Sequence, residues 1–250
     1  MTSHETGRVM RVFGLVVCAF AAAPMAAADI NLEWRPMSST WQVGDLVEVG
    51  LYAVSDDPEA DQLLSAMDVI IAWEPAYLQL VGVACDTCPD WLFSGFQDDP
   101  YGLNEVIPPQ DGDGLYTAWA QLGTPVAATP EGTLVTWFQF NAVSVIEATP
   151  LNILETAGSP LAQTIIYDGT VPGLDVTGTL GGASVEIVCQ LCPGDLDGDG
   201  DIDLSDLAQL LSNYGATSGT MPWDGDVDCD GDVDLSDLAA LLAVYGQTCD

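Results

Sequence analysis

Two short stretches carry the residues most able to do chemistry: "GDLDGDGDIDLSDL" (194–207) and "GDVDCDGDVDLSDL" (225–238). Each holds six aspartates, from Asp195 to Asp206 and from Asp226 to Asp237. Carboxylates crowded this closely repel by on the order of 1 kcal/mol per pair in water, and by more near a protein surface. Such a run either stays solvated and disordered or surrounds something strongly positive. The spacing decides between them. In both stretches the aspartates fall at loop positions one, three, five, seven, nine and twelve, with Gly200 or Gly231 at six. That is the spacing of a calcium loop, in which the glycine permits a sharp turn. Side-chain oxygens of Asp195, Asp197 and Asp199 would converge on one cation. Asp201 would offer its backbone carbonyl, Asp203 would act through water, and Asp206 would close the site with both oxygens. Asp226, Asp228, Asp230, Asp232, Asp234 and Asp237 repeat these roles. The donor set is all oxygen, and calcium tolerates a flexible cage better than magnesium. Two calcium ions are expected.

The elements that must hold these loops repeat with them. Residues 195–215 and 226–246 align with 15 identities in 21 positions at a spacing of 31. After each loop comes a helical pattern: Leu204, Leu207, Leu210, Leu211 and Tyr214, ended by Gly215, then Leu235, Leu238, Leu241, Leu242 and Tyr245, ended by Gly246. No helix enters the first loop, because "VCQLCPG" before it is short and contains Pro193. A loop followed only by its exiting helix, duplicated, resembles the type I dockerin domain over 194–246. The chain departs from that family in having Asp where Asn is common and in a longer linker, "ATSGTMPWDG" (216–225). The resemblance implies that Leu204, Ser205, Leu235 and Ser236 contact a cohesin-type protein, in either of two orientations related by a half-turn. The residues alone also admit the leucines as the module's own core and the serines as helix N-caps.

Upstream, the chain opens as a secretory signal: Arg8 and Arg11, an apolar run from Val12 to Ala23, then Ala26-Ala27-Ala28 before Asp29. The run is too short to span a membrane comfortably, and no later run is long enough. The expected mature chain, without residues 1–28, is therefore extracellular. It keeps Arg35 as its only basic residue against 37 acidic ones (38 less Glu5), a net charge near −36. Nucleic acid and anionic membrane surfaces are repelled as partners. Serine or cysteine nucleophiles lack a His or Lys base, and zinc chemistry through histidines is excluded. Carboxylate-pair hydrolysis stays formally open, but with so many acids proximity says little, so the expectation is no enzyme.

Residues 29–188 read as short strands between Gly, Pro and Asp clusters. Val47, Val49, Leu51 and Ala53 alternate with Glu48, Gly50 and Tyr52. Further runs are 66–73, 77–83, 115–120, 133–143, 151–154, 164–167 and 183–188. With no amphipathic helix between them, they predict an antiparallel β-sandwich. "VGDLVEVGLYAV" (43–54), "SAMDVIIAWEPAYLQLVGV" (65–83), "GLYTAWAQ" (114–121) and "EGTLVTWFQFNAV" (131–143) resemble successive strands of a cohesin domain. The resemblance covers most of 40–188 and implies a jelly-roll sandwich with a second protein-binding surface. The acidic insertion 55–64 and the loop 85–104 depart from it. A carbohydrate-binding sandwich delivered by the dockerin to a polysaccharide-degrading complex is the alternative, with Trp91, Phe93, Phe96 and Tyr101 as its rings and Trp73, Trp119 and Trp137 as core.

Six cysteines remain after residue 28, an even number suited to an oxidising compartment. Cys85 and Cys88 read as a local bridge. The dockerin resemblance, which brings the module's ends together, implies Cys192–Cys249 and leaves Cys189 with Cys229. By residue type alone fifteen pairings are open, as is a four-cysteine zinc site. The expected whole is mainly β: a signal (1–28), a cohesin-like antiparallel jelly-roll β-sandwich (29–188), and a small all-α calcium-binding dockerin (189–250) with loops 195–206 and 226–237.

Overall fold

The structure is a computed structural model that describes residues 29–170 and 173–249. The expected signal segment lies outside the described residues. The first strands are β1 (Ile30–Pro36), β2 (Thr40–Gln42), β3 (Leu46–Ser55), β4 (Gln62–Ala72) and β5 (Leu78–Ala84). Next come β6 (Trp91–Phe96), β7 (Asp113–Ala120), β8 (Val126–Ala128), β9 (Thr133–Ala142) and β10 (Ile146–Leu154). The series ends with β11 (Thr156–Ala157), β12 (Ala162–Gln163), β13 (Ile165–Asp168), β14 (Thr177–Leu180) and β15 (Ala183–Val188). Two helices follow, α1 (Leu204–Asn213) and α2 (Leu235–Val244), with a 3-10 turn at Pro222–Asp224 between them.

The strands form a two-sheet sandwich. One sheet has the order β14-β1-β3-β9-β5, and the other runs β2-β15-β10-β4-β7-β6, with β13 and β8 also pairing β4. Alternation along β3 buries Val47, Val49, Leu51 and Ala53 completely. Across from them β4 turns Leu64, Met67, Val69 and Ile71 inward. Phe138 lies at the centre, edge-on to Trp34 at 4.9 Å and to Tyr116 at 5.2 Å. The buried Tyr116 hydroxyl meets Ser94 Oγ at 2.7 Å, so the core encloses a satisfied polar group.

The sheets are not purely antiparallel as expected: β1 pairs β14, and β15 pairs β2, in parallel. Parallel neighbours need a long crossover between segments distant in sequence, which local alternation does not report. The loop 85–104 is also more ordered than its composition suggests. It contains β6, and its end is held down by Asn104, whose Nδ2 donates to Gln97 O and Leu115 O while its Oδ1 accepts from Leu115 N. This closes a second, smaller core of Ile70, Leu103, Leu115 and Ala162 on the outer face of β4 and β7.

Several contacts fix the helical segment to the sandwich end. Cys189, just after β15, is bonded to Cys229. The Leu191 amide donates to Gln42 Oε1 at 3.1 Å. The Trp223 ring lies over Gly44, where a Cβ would come within 2.7 Å of it and φ is +90°. Among the described residues, no helix is long and apolar enough to cross a membrane.

Phe138→Ala should leave a cavity where both sheets meet and cost about 3–5 kcal/mol. Urea unfolding followed by tryptophan fluorescence measures this, with a lowered midpoint expected.

Candidate metal centres

Each aspartate loop is wound on two of its own carboxylates. At the first position, Asp195 accepts the amides of Gly198 (2.8 Å) and Gly200 (3.2 Å), and Asp226 accepts those of Asp230 (3.1 Å) and Gly231 (3.0 Å). At the twelfth, Asp206 Oδ1 accepts from Leu196 N at 2.6 Å and its Oδ2 from Asp203 N at 2.8 Å. Asp237 repeats this with Val227 N and Asp234 N, both at 2.7 Å. Asp206 and Asp237 are fully buried. The backbone must turn left-handed at two positions to bring the amides inward. At the sixth it is glycine, with φ +92° at Gly200 and +94° at Gly231. At the fourth, Gly198 takes φ +75°, while the second loop holds Cys229 at φ +58°, a strained conformation for a residue with a Cβ that coincides with its disulfide to Cys189.

This winding gathers the carboxylates. Asp195, Asp197 and Asp199 place oxygens within 4.8 Å of one another, as do Asp201, Asp203 and Asp206. In the second loop the groups are Asp226, Asp228 and Asp237, then Asp232, Asp234 and Asp237. Asp237 thus belongs to both groups of its loop, whereas Asp206 joins only one of its own, and Asp230 falls in neither. Mutual repulsion bears on these carboxyl groups. The Asp199 charge, above all, holds the Asp201 carboxyl above the usual range. Burial first, and the Asp237 charge with it, raises Asp226 and Asp228. One oxygen at the seventh position of each loop, Asp201 Oδ1 and Asp232 Oδ1, is buried without a hydrogen-bond partner among the described residues. An orphaned buried carboxylate oxygen is costly, and its recurrence at equivalent positions fits a hard cation better than chance packing. These groups of oxygens could hold metal.

The repeats brace one another. Ile202, at position eight of the first loop, exchanges backbone bonds with the end of α2: Gly246 N donates to Ile202 O (2.7 Å), and Ile202 N to Gln247 O (2.9 Å). Val233, its counterpart, exchanges them with the end of α1 through Gly215 N (2.8 Å) and Ala216 O (2.9 Å). The core between the helices follows the same two-fold plan, pairing Leu196, Ile202 and Leu210 with Val227, Val233 and Leu241.

The leucine stripe divides. Leu210 and Leu241 are buried, Leu207 and Leu238 pack beside them, but Leu204 and Leu235 are 67% and 66% exposed. Leu211, Tyr214, Leu242 and Tyr245 are exposed too. Leu204 and Leu235 are therefore not core residues. Nor are the serines N-caps. Asp203 and Asp234 cap the helices, accepting from the amides of Ser205 and Ser236 (2.7 and 2.6 Å), and Asp206 and Asp237 complete capping boxes. Both serine side chains stay exposed beside the leucines.

The six cysteines pair as Cys85–Cys88, Cys189–Cys229 and Cys192–Cys249, leaving no thiolate for a four-cysteine zinc site. The four loop aromatics do not form an exposed row. Trp91 packs on the main core and donates its Nε1 to Val135 O. Phe96 packs against Tyr116 and Phe138, and Tyr101 lines the smaller core. Phe93 alone faces outward, against Trp119. Trp73 is core and Trp137 half-buried against Tyr52, but Trp119 is exposed, because its place on β7 turns it away from the buried Ala118.

No protein-family model and no curated protein sequence matches this chain. Among solved structures it is similar to a cohesin module from a family 33 glycoside hydrolase of Clostridium perfringens, at 13% identity over 64% of this chain and 97% of that one, with a TM-score of 0.45. A type II cohesin domain from the cellulosome of Acetivibrio cellulolyticus matches at 13% identity over 64% and 95%, TM-score 0.42. A chain from a type I cohesin–dockerin complex of Clostridium thermocellum matches at 12% over 65% and 100%, TM-score 0.44.

Proposed function

We propose that this chain is a secreted, non-catalytic assembly protein. Residues 1–28 direct export, 29–188 form a cohesin-like sandwich that offers a protein-binding surface, and 189–250 form a dockerin. The dockerin docks to a cohesin-type partner when two calcium ions fill loops 195–206 and 226–237. Oxygens of Asp195, Asp197, Asp199, Asp201 and Asp206 would hold one ion, and those of Asp226, Asp228, Asp230, Asp232 and Asp237 the other. The ions supply positive charge that draws each loop closed, and no reaction step is assigned to them. The carrying observation is the duplicated exposed face, Leu204-Ser205 and Leu235-Ser236, set at the mouths of two equivalent acidic loops. A non-catalytic role is supported by the side chains at hand. Arg35 is the one basic residue described, and it is engaged by Glu33 at 2.9 Å and by the Tyr52 ring at 4.4 Å.

Asp195→Ala or Asp226→Ala should each remove about one calcium equivalent in titration calorimetry of the full chain. Two sites remaining in Asp226→Ala would show that the second loop has been misread. Acid should also weaken calcium binding. Asp201, Asp226 and Asp228 titrate above their ordinary value in the metal-free loops, so the metal-free fold binds protons more tightly than the unfolded chain and gains stability as pH falls. Calcium must displace those protons. Its affinity should be full at neutral pH and fall as pH drops through the raised carboxyl range, as calorimetry across a pH series can measure.

The docking surface has its own signature. A half-turn of the module presents a nearly equivalent face, so Leu204→Asp with Ser205→Asp should cost little binding to a cohesin-type partner, and the pair at 235 and 236 likewise. All four together should abolish it, by setting uncompensated charge against an apolar contact. Surface plasmon resonance with calcium saturating in every variant makes the comparison. Wild-type affinity in the quadruple variant would place recognition elsewhere.

A further inference from the structure

Three aromatic rings lie in line across the outer face of the larger sheet. Tyr167 on β13 is in register with Ala66 on β4, Ala66 with Trp119 on β7, and Trp119 with Phe93 on β6. Their chain neighbours Ile166, Met67 and Ala118 are buried in the core, so strand alternation turns this row to the opposite face. Trp119 and Tyr167 are 40% and 36% exposed. Phe93 is tilted 39° to Trp119, with ring centroids 5.2 Å apart. A cross-strand stabilising pair would account for Phe93 against Trp119. It does not account for Tyr167, which stands beyond Ala66, two strand spacings or about 9.6 Å from Trp119. One register step along the same face lie Asp68, Thr117 and Gly95. Thr117 Oγ1 donates to Asp68 Oδ1 at 2.7 Å. Among the described residues, neither Asp68 Oδ2 nor Trp119 Nε1 has a hydrogen-bond partner.

We infer that this row is a stacking platform for a neutral polysaccharide chain. The C–H face of a pyranose ring suits an exposed indole or phenol ring, and its hydroxyls suit the open carboxylate oxygen and the indole N–H. Two strand spacings separate Tyr167 from Trp119 by about the length of a disaccharide unit, so alternate sugars can stack on these two rings along an extended chain. Bases of single-stranded nucleic acid also stack on such rings, but the net charge near −36 beyond residue 28 repels phosphodiesters. A protein partner needs a broad desolvated patch of roughly 800 Å². Beside the rings on this face lie the acidic Asp68 and the polar Thr117 together with Ile165, a mixed surface and not a broad apolar patch. The platform is separate from the calcium loops and does not rest on the docking reading.

Native-gel affinity electrophoresis of the full chain tests it, with soluble xylan, mixed-linkage β-glucan, galactomannan or hydroxyethyl cellulose in the gel. Depletion onto insoluble cellulose and chitin extends the panel. At least one polysaccharide should bind the wild type, equally with calcium or with chelator, which separates this site from calcium-dependent docking. Trp119→Ala and Tyr167→Ala should each weaken that binding roughly tenfold, while Trp119→Phe keeps most of it. Unchanged circular dichroism in all three variants guards against misfolding. A wild type that binds none of the panel, as expected if the rings serve a protein contact, would overturn the proposal. So would alanine variants that bind as well as wild type.

Discussion

Twelve carboxylates confined to two short loops set the terms for the C-terminal quarter of this chain. Backbone amides turned inward onto Asp195, Asp206, Asp226 and Asp237 offset part of the repulsion, yet Asp201 and Asp226 itself are still held above the ordinary carboxyl range. The residue types around them offer no other remedy. There is no lysine, and the one described arginine sits on β1, occupied by Glu33. Two divalent ions would offset four of the twelve charges and give Asp201 Oδ1 and Asp232 Oδ1 the partner they lack among the described residues. The small core between α1 and α2, six buried side chains, is a weak counterweight to the remainder. On the proposed reading, bound metal would be a structural necessity and not an accessory.

The geometry also makes the loops interdependent. Each is completed by backbone bonds to the helix end of the other repeat, at Ile202 and Val233. Disulfides then tie both to fixed points, Cys189–Cys229 to the end of the sandwich and Cys192–Cys249 across the module's own termini. Filling one loop would therefore stiffen the bridge that supports its twin. The exposed leucines at the first turn of each helix inherit that rigidity, because the capping aspartates Asp203 and Asp234 belong to the loops themselves.

How far the sequence reveals this depends on the range of the interaction. Position-specific chemistry within a dozen residues is legible: the aspartate spacing points to carboxylates that the fold gathers in groups, although Asp206 groups with Asp201 and Asp203 and not with Asp195, and Asp230 joins no group. Strands with long alternation, such as β3 and β9, are equally plain. β1 carries the same signal in Ile30, Leu32 and Trp34, all buried, and could have been read from it. β2, β8 and β14 are three or four residues long and gain their identity only from the neighbours they pair with. Facing is the hardest property to infer. Trp119 sits in an apolar strand and reads as core, yet register with Tyr167 and Phe93 turns it outward. Leu204 and Leu211 fit a helical stripe, yet the narrow contact between two short helices leaves them in solvent. Periodicity identifies the element, and only the tertiary partner says which side is inside.

The proposed dependence of the C-terminal fold on calcium is tested most directly by differential scanning calorimetry of the full chain, in calcium and in chelator. Binding to the native loops alone should raise their stability by about 2.7 kcal/mol for each site at a hundredfold excess over Kd. The account predicts a helical-module transition that moves to much higher temperature with calcium, and a sandwich transition that shifts little. Superimposable thermograms in calcium and in chelator would contradict it.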